Sequence, residues 1–271
     1  MSEVFGFDSY APREIAERVE TVGVAKANLP IVSMVALGVL AGGFIGLGAL
    51  FSTIVLSDPM LGFAISRVLA GVAFSLGLIL VVVAGAELFT GNNLLVMAYV
   101  AGRISGQRLL LNLFVVYVSN LVGAAGLALL VALSGHADLG DGSIGRAAVA
   151  IAAAKTAIPL GEAFFRAVLC NILVCLAVWL AMAGRTVADK ILAIVFPVAA
   201  FVAAGFEHSV ANMYLIPLGI FLKPEFGGSG ATSLDWIGFL HNLLPVTMGN
   251  LVGGAGMVGL VYHTIYRRKS S

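Results

Sequence analysis

Six long apolar regions run through this sequence and decide what kind of protein it can form. They lie near residues 31–56, 66–100, 108–134, 161–184, 189–222 and 239–266. A helix needs about 20 apolar residues to cross the hydrocarbon core of a bilayer, which is about 30 Å thick. The chain is 60% hydrophobic and only 11% charged, whereas a soluble domain carries about 25% charged residues. We therefore predict an all-α membrane protein with six transmembrane helices. Its net charge of +1 gives no reason to expect a nucleic-acid partner.

The second and fifth regions are longer than one span requires. About 34 residues at about 1.5 Å each would make a helix of about 50 Å. Both regions contain the polar pattern Gly-x-Glu-x-x-x-x-Asn, at residues 85–92 and 205–212. Non-helical backbone at membrane depth is tolerated only where it is buried in protein or lines a wet cavity. We predict that the second and fifth helices are broken at these patterns and that the breaks form the functional site.

The third and sixth regions also resemble each other. Residues 120–126 read Asn-Leu-Val-Gly-Ala-Ala-Gly and residues 250–256 read Asn-Leu-Val-Gly-Gly-Ala-Gly. Two copies of a three-helix unit would have opposite orientations in the membrane, with the site between them. Regions one and four show no such match, and two chance matches at similar offsets remain the alternative.

Loop charges predict the orientation, because cytoplasmic loops carry an excess of Lys and Arg. One side carries ten such residues: Arg13, Arg18, Lys26, Arg103, Arg108, Arg185, Lys190, Arg267, Arg268 and Lys269. The other side carries four: Arg67, Arg146, Lys155 and Lys223. This asymmetry places both termini in the cytoplasm.

Residues 12–28 form an amphipathic pattern, with Ile15, Val19 and Val22 on one face. Such a helix lies against the membrane or the protein; a solvated leader helix is the alternative. The predicted domains are a cytoplasmic N-terminal helix in 1–30, a six-helix pore domain in 31–266 and a basic cytoplasmic tail in 267–271.

His208 is the only histidine inside the apolar part of a broken helix. An imidazole can change charge near neutral pH, so it can hydrogen-bond an anion or protonate it. Thr90 lies in the other break, and we expect the repeat to bring its hydroxyl opposite His208. The alternatives are a histidine held by a neighbouring carbonyl and a threonine that caps a helix.

The remaining polar residues of the broken regions suggest a shared structural task. Equivalent carboxylates, Glu87 and Glu207, are predicted to hold the free amides where each helix stops. Asn92, Asn212 and Asn171 receive the same interpretation. Lys155 precedes the fourth region, where a cation would attract anions; an ordinary loop lysine is the alternative.

Apolar residues near the breaks are either core or constrictions. They are Phe74, Leu78, Leu88, Phe89 and Phe201. Leu88 and Phe89 lie inside the break, where a narrow apolar neck would strip water from a charged solute.

Five motifs together resemble the formate/nitrite transporter family. They are residues 74–80 (Phe-Ser-Leu-Gly-Leu-Ile-Leu), 86–92 (Ala-Glu-Leu-Phe-Thr-Gly-Asn), 171–179 (Asn-Ile-Leu-Val-Cys-Leu-Ala-Val-Trp), 205–213 (Gly-Phe-Glu-His-Ser-Val-Ala-Asn-Met) and 245–250 (Pro-Val-Thr-Met-Gly-Asn). The resemblance implies a homopentamer of aquaporin-like protomers in a prokaryotic inner membrane. Each protomer would have its own pore for anions of small weak acids, with pH-dependent, bidirectional passage.

The resemblance also implies roles for single residues. Leu78 and Phe74 would line the cytoplasmic constriction, and Leu88, Phe89 and Phe201 the central and outer one. Thr90 and His208 would contact the solute. Lys155, Asn171, Glu207 and Asn212 would form the surrounding polar network. Formate is the expected solute, and nitrite or hydrosulfide is the alternative.

The sequence lacks the motifs of two other classes of protein, membrane enzymes and water channels. A membrane enzyme would need a nucleophile with a base or a metal cluster, but HExxH, CxxC and GxSxG motifs do not occur. A water channel of aquaporin type would need paired Asn-Pro-Ala elements, and these are missing too. We expect a transporter without enzymatic activity, cofactor or metal, whose partners are the anion, protons and membrane lipids.

Overall fold

A computed structural model describes residues 9–228 and 231–267, and all regular structure in these ranges is helical. The helices are α1 (Pro12–Ala27), α2 (Ile31–Leu56), α3 (Phe63–Ile79), α4 (Phe89–Asn92), α5 (Leu95–Val100), α6 (Gly106–Leu133), α7 (Ser143–Thr156), α8 (Leu160–Ala183), α9 (Val187–Ala203), α10 (Ser209–Phe226), α11 (Trp236–Leu251) and α12 (Val261–Tyr266). Wider π-helical turns extend α3 through Leu80–Gly85 and join α11 to α12 through Val252–Leu260. The prediction of an all-helical chain is confirmed for this part of the protein.

Five helical segments in the described ranges are long and apolar enough to cross a membrane. They are Ile31–Leu56, Phe63–Gly85, Gly106–Leu133, Leu160–Ala183 and Trp236–Tyr266. The predicted region 189–222 is instead divided between α9 and α10, which have 17 and 18 residues.

Several helix starts follow from local sequence. The side chains of Ser105, Thr186 and Asp235 cap α6, α9 and α11 by accepting hydrogen bonds from backbone amides in the first turn. Such caps satisfy donors that have no partner inside the helix. The two starts that matter most for the site, those of α4 and α10, follow the breaks. The side chain of His208 caps α10 in the same way, whereas Leu88 before α4 makes no such bond.

The breaks occupy residues 86–88 and 204–208. Gly85 and Gly205 have φ angles of +87° and +73° there, a left-handed conformation that glycine adopts without a steric penalty. The amide of Glu87 then donates to the carbonyl of Leu37 on α2 at 3.2 Å. The amide of Glu207 donates in the same way to Arg166 on α8, at 3.3 Å. Both breaks therefore bond to a neighbouring helix rather than to water.

Glycines let the helices approach each other closely. A Cβ atom at Gly42 on α2 would collide with the carbonyl of Asn120 on α6, and one at Gly253 would collide with the carbonyl of Val168 on α8. Gly43, next to Gly42, meets nothing within 4 Å. The α2 glycines thus differ in role. Those in close contact with α6, such as Gly42, set the distance between α2 and α6.

Helix α1 lies on the protein, where it buries Ile15, Ala16 and Val19. It packs against α5, α8 and α12. Glu20 is buried on this helix and accepts from Arg267 at 3.1 Å and contacts His263 at 3.3 Å. α1 is therefore not a solvated leader helix. Of the predicted basic tail, residues 268–271 lie outside the described ranges.

Candidate pore and its polar clusters

A cluster of four polar side chains surrounds the first break. The Glu87 carboxylate accepts from Lys26 Nζ at 2.9 Å and from Asn92 Nδ2 at 2.7 Å. Asn92 Nδ2 also donates to Asn112 Oδ1 at 2.9 Å, and Asn112 Nδ2 donates to the Lys26 carbonyl at 3.2 Å. The carboxylate is thus buried together with a cation and amide donors, as a charge in an apolar setting requires.

The second break has a cluster of the same composition and of closely similar connectivity. The Glu207 carboxylate accepts from Lys155 Nζ and from Asn212 Nδ2, both at 2.7 Å. Asn212 Nδ2 donates to Asn242 Oδ1 at 2.7 Å, and Asn242 Nδ2 donates to the Lys155 carbonyl at 2.9 Å. Each of these four bonds has its counterpart in the first cluster. The clusters differ in two further bonds: Lys26 Nζ donates to Asn92 Oδ1 at 3.0 Å in the first, and Asn242 Nδ2 donates to the Glu207 carboxylate at 3.4 Å in the second.

The prediction that the two glutamates hold the free backbone amides is wrong, and it is wrong in the same way for the asparagines given that task, namely Asn92, Asn212 and Asn171. The glutamate carboxylates bind lysine and asparagine side chains, and the free amides are held by asparagines further along the chain. Asn120 Oδ1 accepts from the Phe89 amide at the start of α4, and Asn250 Oδ1 accepts from the Ser209 amide at the start of α10, both at 2.9 Å. Because an amide group can also donate, each asparagine binds a carbonyl of the same break as well, that of Glu87 or Glu207.

Sequence reasoning missed five functional residues: the cluster members Lys26, Asn112 and Asn242, and the capping residues Asn120 and Asn250. The signal was present in the spacing. Lys26 and Lys155 each lie five residues before the first residue of the next helix, Ile31 or Leu160. Asn112 and Asn242 each lie eight residues before the asparagine that opens the repeated motif of regions three and six.

His208 and Thr90 meet between the two breaks, with His208 Nε2 and Thr90 Oγ1 3.0 Å apart. His208 is only 2% exposed and Thr90 is fully buried. His208 Nδ1 accepts from the Ala211 amide at 3.0 Å. An amide can only donate, so the ring proton of the neutral imidazole lies on Nε2 and points at Thr90. The histidine is not held by a carbonyl, and Thr90 is inside α4 rather than at its cap.

Asn171 holds the backbone of Thr90. Its Nδ2 donates to the Thr90 carbonyl at 3.3 Å and to the Asn250 carbonyl at 2.7 Å. Asn171 is fully buried. It therefore links the short helix α4 to α11 and fixes where the Thr90 hydroxyl lies.

Two cavities border the two breaks, one lined by Leu88 and Gly91, which flank Thr90 in the sequence, and the other lined by His208. The first cavity, of about 440 Å³, is lined by Lys26, Glu87, Leu78 and Leu88 among others. The second cavity, of about 260 Å³, is lined by Lys155, Glu207, His208, Phe74 and Phe201 among others. The cavities group the apolar residues differently from the family resemblance, because Leu78 shares a cavity with Leu88, and Phe74 shares one with Phe201. That these residues form constrictions stays a prediction.

The aromatic residues have distinct positions. The rings of Phe74 and Phe201 meet edge to face with centroids 5.7 Å apart, and Phe201 stacks on His208 at 6.0 Å. Phe89 lines neither of the two cavities; its ring packs on Tyr117 of α6 at 4.8 Å. Phe89 therefore packs on α6 in this structure, and its role in a constriction stays a prediction.

The sequence suggests that Lys155 attracts anions as a free cation, but the structure shows its charge paired. Its ammonium group is ion-paired with Glu207 at 2.7 Å. Arg166, on the wall of the same cavity, is paired with Glu162 at 2.7 Å. An ion-paired lysine attracts an approaching anion less than a free one, so Lys155 belongs to the polar cluster more than to an entrance funnel.

Comparison with known proteins assigns the chain to a family. The model of the family described as formate/nitrite transporter matches residues 13–264. The formate channel FocA of Escherichia coli (strain K12) is 40% identical over 276 residues, covering 97% of this chain and 97% of that protein. A solved pentameric formate channel with formate bound has a TM-score of 0.81 at 37% identity, covering 88% of this chain and 98% of the other. An FNT family ion channel has a TM-score of 0.82 at 34% identity, covering 93% and 98%. The chain belongs to the formate/nitrite transporter family.

Proposed function

We propose that this protein is a membrane channel or transporter for small monovalent anions of weak acids, with formate as its main solute. The relatives named as formate channels, and the pentameric structure with formate bound, support this solute and a homopentamer. Nitrite or hydrosulfide is the alternative within the family. The protein would lie in the inner membrane of a prokaryote, with both termini in the cytoplasm.

Two inverted repeats of three spans, as in aquaporin-like protomers, are the proposed architecture. The support is the matching of contacts: Lys26, Glu87, Asn92 and Asn112 make the bonds that Lys155, Glu207, Asn212 and Asn242 make. α1 would then be the counterpart of α7, and α2 that of α8. Half-helices that meet near mid-membrane are a usual way to build a solute site.

The pathway would connect the two cavities through the Thr90–His208 contact. From the first cavity the solute would pass Leu78 and Leu88 and reach Thr90. It would then leave past His208 and the Phe74–Phe201 pair into the second cavity. The observation that carries the proposal is this position of one hydrogen-bonded polar pair between two cavities with apolar walls.

The chemistry follows from the tautomer of His208. The Nε2–H group can exchange its hydrogen bond with Thr90 Oγ1 for one with an anion, because the Thr90 oxygen and the anion are both acceptors. The Thr90 hydroxyl hydrogen is then free to donate as well. Carboxylic acids are mostly ionised at neutral pH, so the two donors would replace part of the water that the anion loses at the apolar walls. A proton taken up by the bound anion would let the neutral acid cross, in the direction set by the gradients.

The test is uptake of formate, nitrite and hydrosulfide into proteoliposomes across a pH series. His208→Phe removes the donor, and loss of a hydrogen bond to a charged group costs about 1.5–3 kcal/mol, or about tenfold to a hundredfold in formate flux. His208→Asn keeps a donor on a shorter side chain and should fall between. His241→Asn, at an exposed histidine without a role in the proposed pathway, is the matched control.

Two results would count against the proposal. Unchanged formate flux and pH profile in both His208 variants would remove this residue from the mechanism. Rapid water permeability without formate uptake, measured by stopped flow on the same vesicles, would indicate a water channel instead.

A further inference from the structure

Arg67, on the second turn of α3, contacts the second break. Its Nε donates to the carbonyl of Ala203 at 3.2 Å, and its Nη2 donates to the carbonyl of Val202 at 3.0 Å. These carbonyls end α9, immediately before Gly205. A Cβ atom built at Gly205 would lie 2.9 Å from Arg67 Nη2. The guanidinium is therefore in contact with the turn that leads to His208.

Arg67 also supplies charge to the second cavity. Three cations line this cavity: Arg67, Lys155 and Arg166. Lys155 and Arg166 have carboxylate partners at 2.7 Å, whereas no carboxylate within residues 9–228 and 231–267 lies within 4.0 Å of the Arg67 guanidinium. The partial negative charge at the end of α9 offsets only about half a unit charge.

Within the described part of the chain, the first cavity has no equivalent cation. Its wall carries Lys26, which is paired with Glu87. At the offset of 120 residues that relates Gly85 to Gly205, the residue matching Arg67 is Val187. The two halves of the site thus share their polar clusters but differ in this one charge.

We propose that Arg67 is the residue that recruits the anion at the mouth of the second cavity, the role that the sequence suggests for Lys155. This inference rests on the proposed function. An arginine is always charged, and the two carbonyl bonds leave three of its five N–H donors free for a solute. A charged cleft with low-dielectric walls raises the local concentration of a counter-ion. Recruitment therefore acts on capture at low formate concentration and has little effect once the pore is saturated.

The test compares Arg67→Gln and Arg67→Lys in formate uptake at several ionic strengths, using a bulky impermeant salt. Arg67→Gln keeps an amide donor for a carbonyl but loses the charge. Uptake at low formate should fall about threefold to tenfold at low salt, and the usual decrease of uptake with added salt should flatten. Arg67→Lys should retain most of the uptake and its salt dependence. Removing a neutral pair from the same wall, with Glu162→Gln and Arg166→Gln together, is the control and should keep the salt dependence.

A second variant leaves Arg67 and its carbonyl bonds in place. Phe63 is 82% exposed and lies one turn before Arg67 on α3, so Phe63→Glu places a carboxylate at the favourable i,i+4 position. It should reproduce the flattened salt dependence even if Arg67→Gln fails to assemble as a pentamer.

The outcomes separate the inference from the function. If the wild-type protein does not conduct formate, the proposed function fails. If the wild type conducts and neither Arg67→Gln nor Phe63→Glu alters the salt dependence, Arg67 is not the recruiting residue. If Arg67→Gln and Arg67→Lys lose flux equally with the salt dependence intact, Arg67 only holds the break and the inference is overturned.

Discussion

At the scale of single residues, two asparagines close the backbone of the breaks. Asn250 Oδ1 accepts from the Ser209 amide, and its Nδ2 donates to the carbonyls of Ala167 and Glu207. Asn120 does the same for the first break, at Phe89, Gly38 and Glu87. One side chain thus satisfies three backbone groups that water cannot reach, which makes an interrupted helix tolerable at this depth.

We predict that Asn250→Ala strongly destabilises the protein. It leaves up to three buried backbone groups unpaired, at about 1–3 kcal/mol each if unrelieved. The melting temperature in detergent should fall by about 10 °C or more. Intrinsic fluorescence during heating is the measurement.

Two further variants make this prediction specific. Asn28→Ala removes an asparagine whose hydrogen bond, to the Val24 carbonyl, is exposed, and it should change the melting temperature little. Asn250→Asp keeps the acceptor and loses the donors, so it should be intermediate. Equal melting temperatures for Asn250→Ala and Asn28→Ala would contradict the assigned role.

At the scale of helices, the glycines decide how closely two helices pack, because a glycine has no side chain to keep the backbones apart. α2 lies against α6 through the face that includes Gly42, where the two backbones touch. Asn120, the capping residue of the first break, is the α6 residue at this contact. The crossing of α2 and α6 therefore decides whether the cap of α4 can form.

We predict opposite effects for adjacent glycines of α2. Gly42→Ala pushes α2 away from Asn120 and should cost about 1–3 kcal/mol by overpacking, with reduced formate uptake. Gly43→Ala meets no neighbour within 4 Å and should be neutral or stabilising by up to about 1 kcal/mol from helix propensity. Melting temperature and uptake of the two purified variants are compared. Similar losses in both would show that the α2–α6 contact is not the cause.

At the scale of the whole molecule, charged connections meet at one end. Glu20 of α1 contacts Arg103 of the α5–α6 loop at 3.8 Å and Arg267 near the end of the described chain. Tyr10 lies under Arg185 of the α8–α9 connection, with 4.5 Å between the guanidinium and the ring centroid. These cations come from the set that the loop-charge count assigns to one side. Their gathering supports the proposal that this end faces the cytoplasm.

Single-cysteine labelling tests this orientation. Met60, in the α2–α3 connection, is 89% exposed, and Gln107, at the start of α6, is exposed as well. An impermeant maleimide added to intact cells should label Met60→Cys, and Gln107→Cys only after permeabilisation. The native Cys170 and Cys175 are buried and serve as the unlabelled background. The reverse labelling pattern would invert the proposed topology.

The sequence by itself determined the class of protein, the two interrupted regions and the residues at their breaks. The length of an apolar segment, and the presence of a charged residue inside it, are properties of consecutive residues. They can therefore be recognised in the sequence without knowing the fold. For the same reason Gly85 and Gly205, Glu87 and Glu207, and His208 stand out in a single chain, and the motifs around them indicate the family.

Only the tertiary structure decided which side chains meet. It placed Phe74 beside Phe201 and turned Phe89 toward Tyr117. It also showed that Asn120 and Asn250 bind the free amides after the breaks, although they lie 31 and 41 residues away from those amides in the sequence. Of the second cavity's cations, Lys155 is ion-paired with Glu207, whereas Arg67 has no carboxylate partner among residues 9–228 and 231–267. The charge that a solute meets depends on which carboxylates lie within a few ångströms, and that distance is set by the packing of helices remote in sequence.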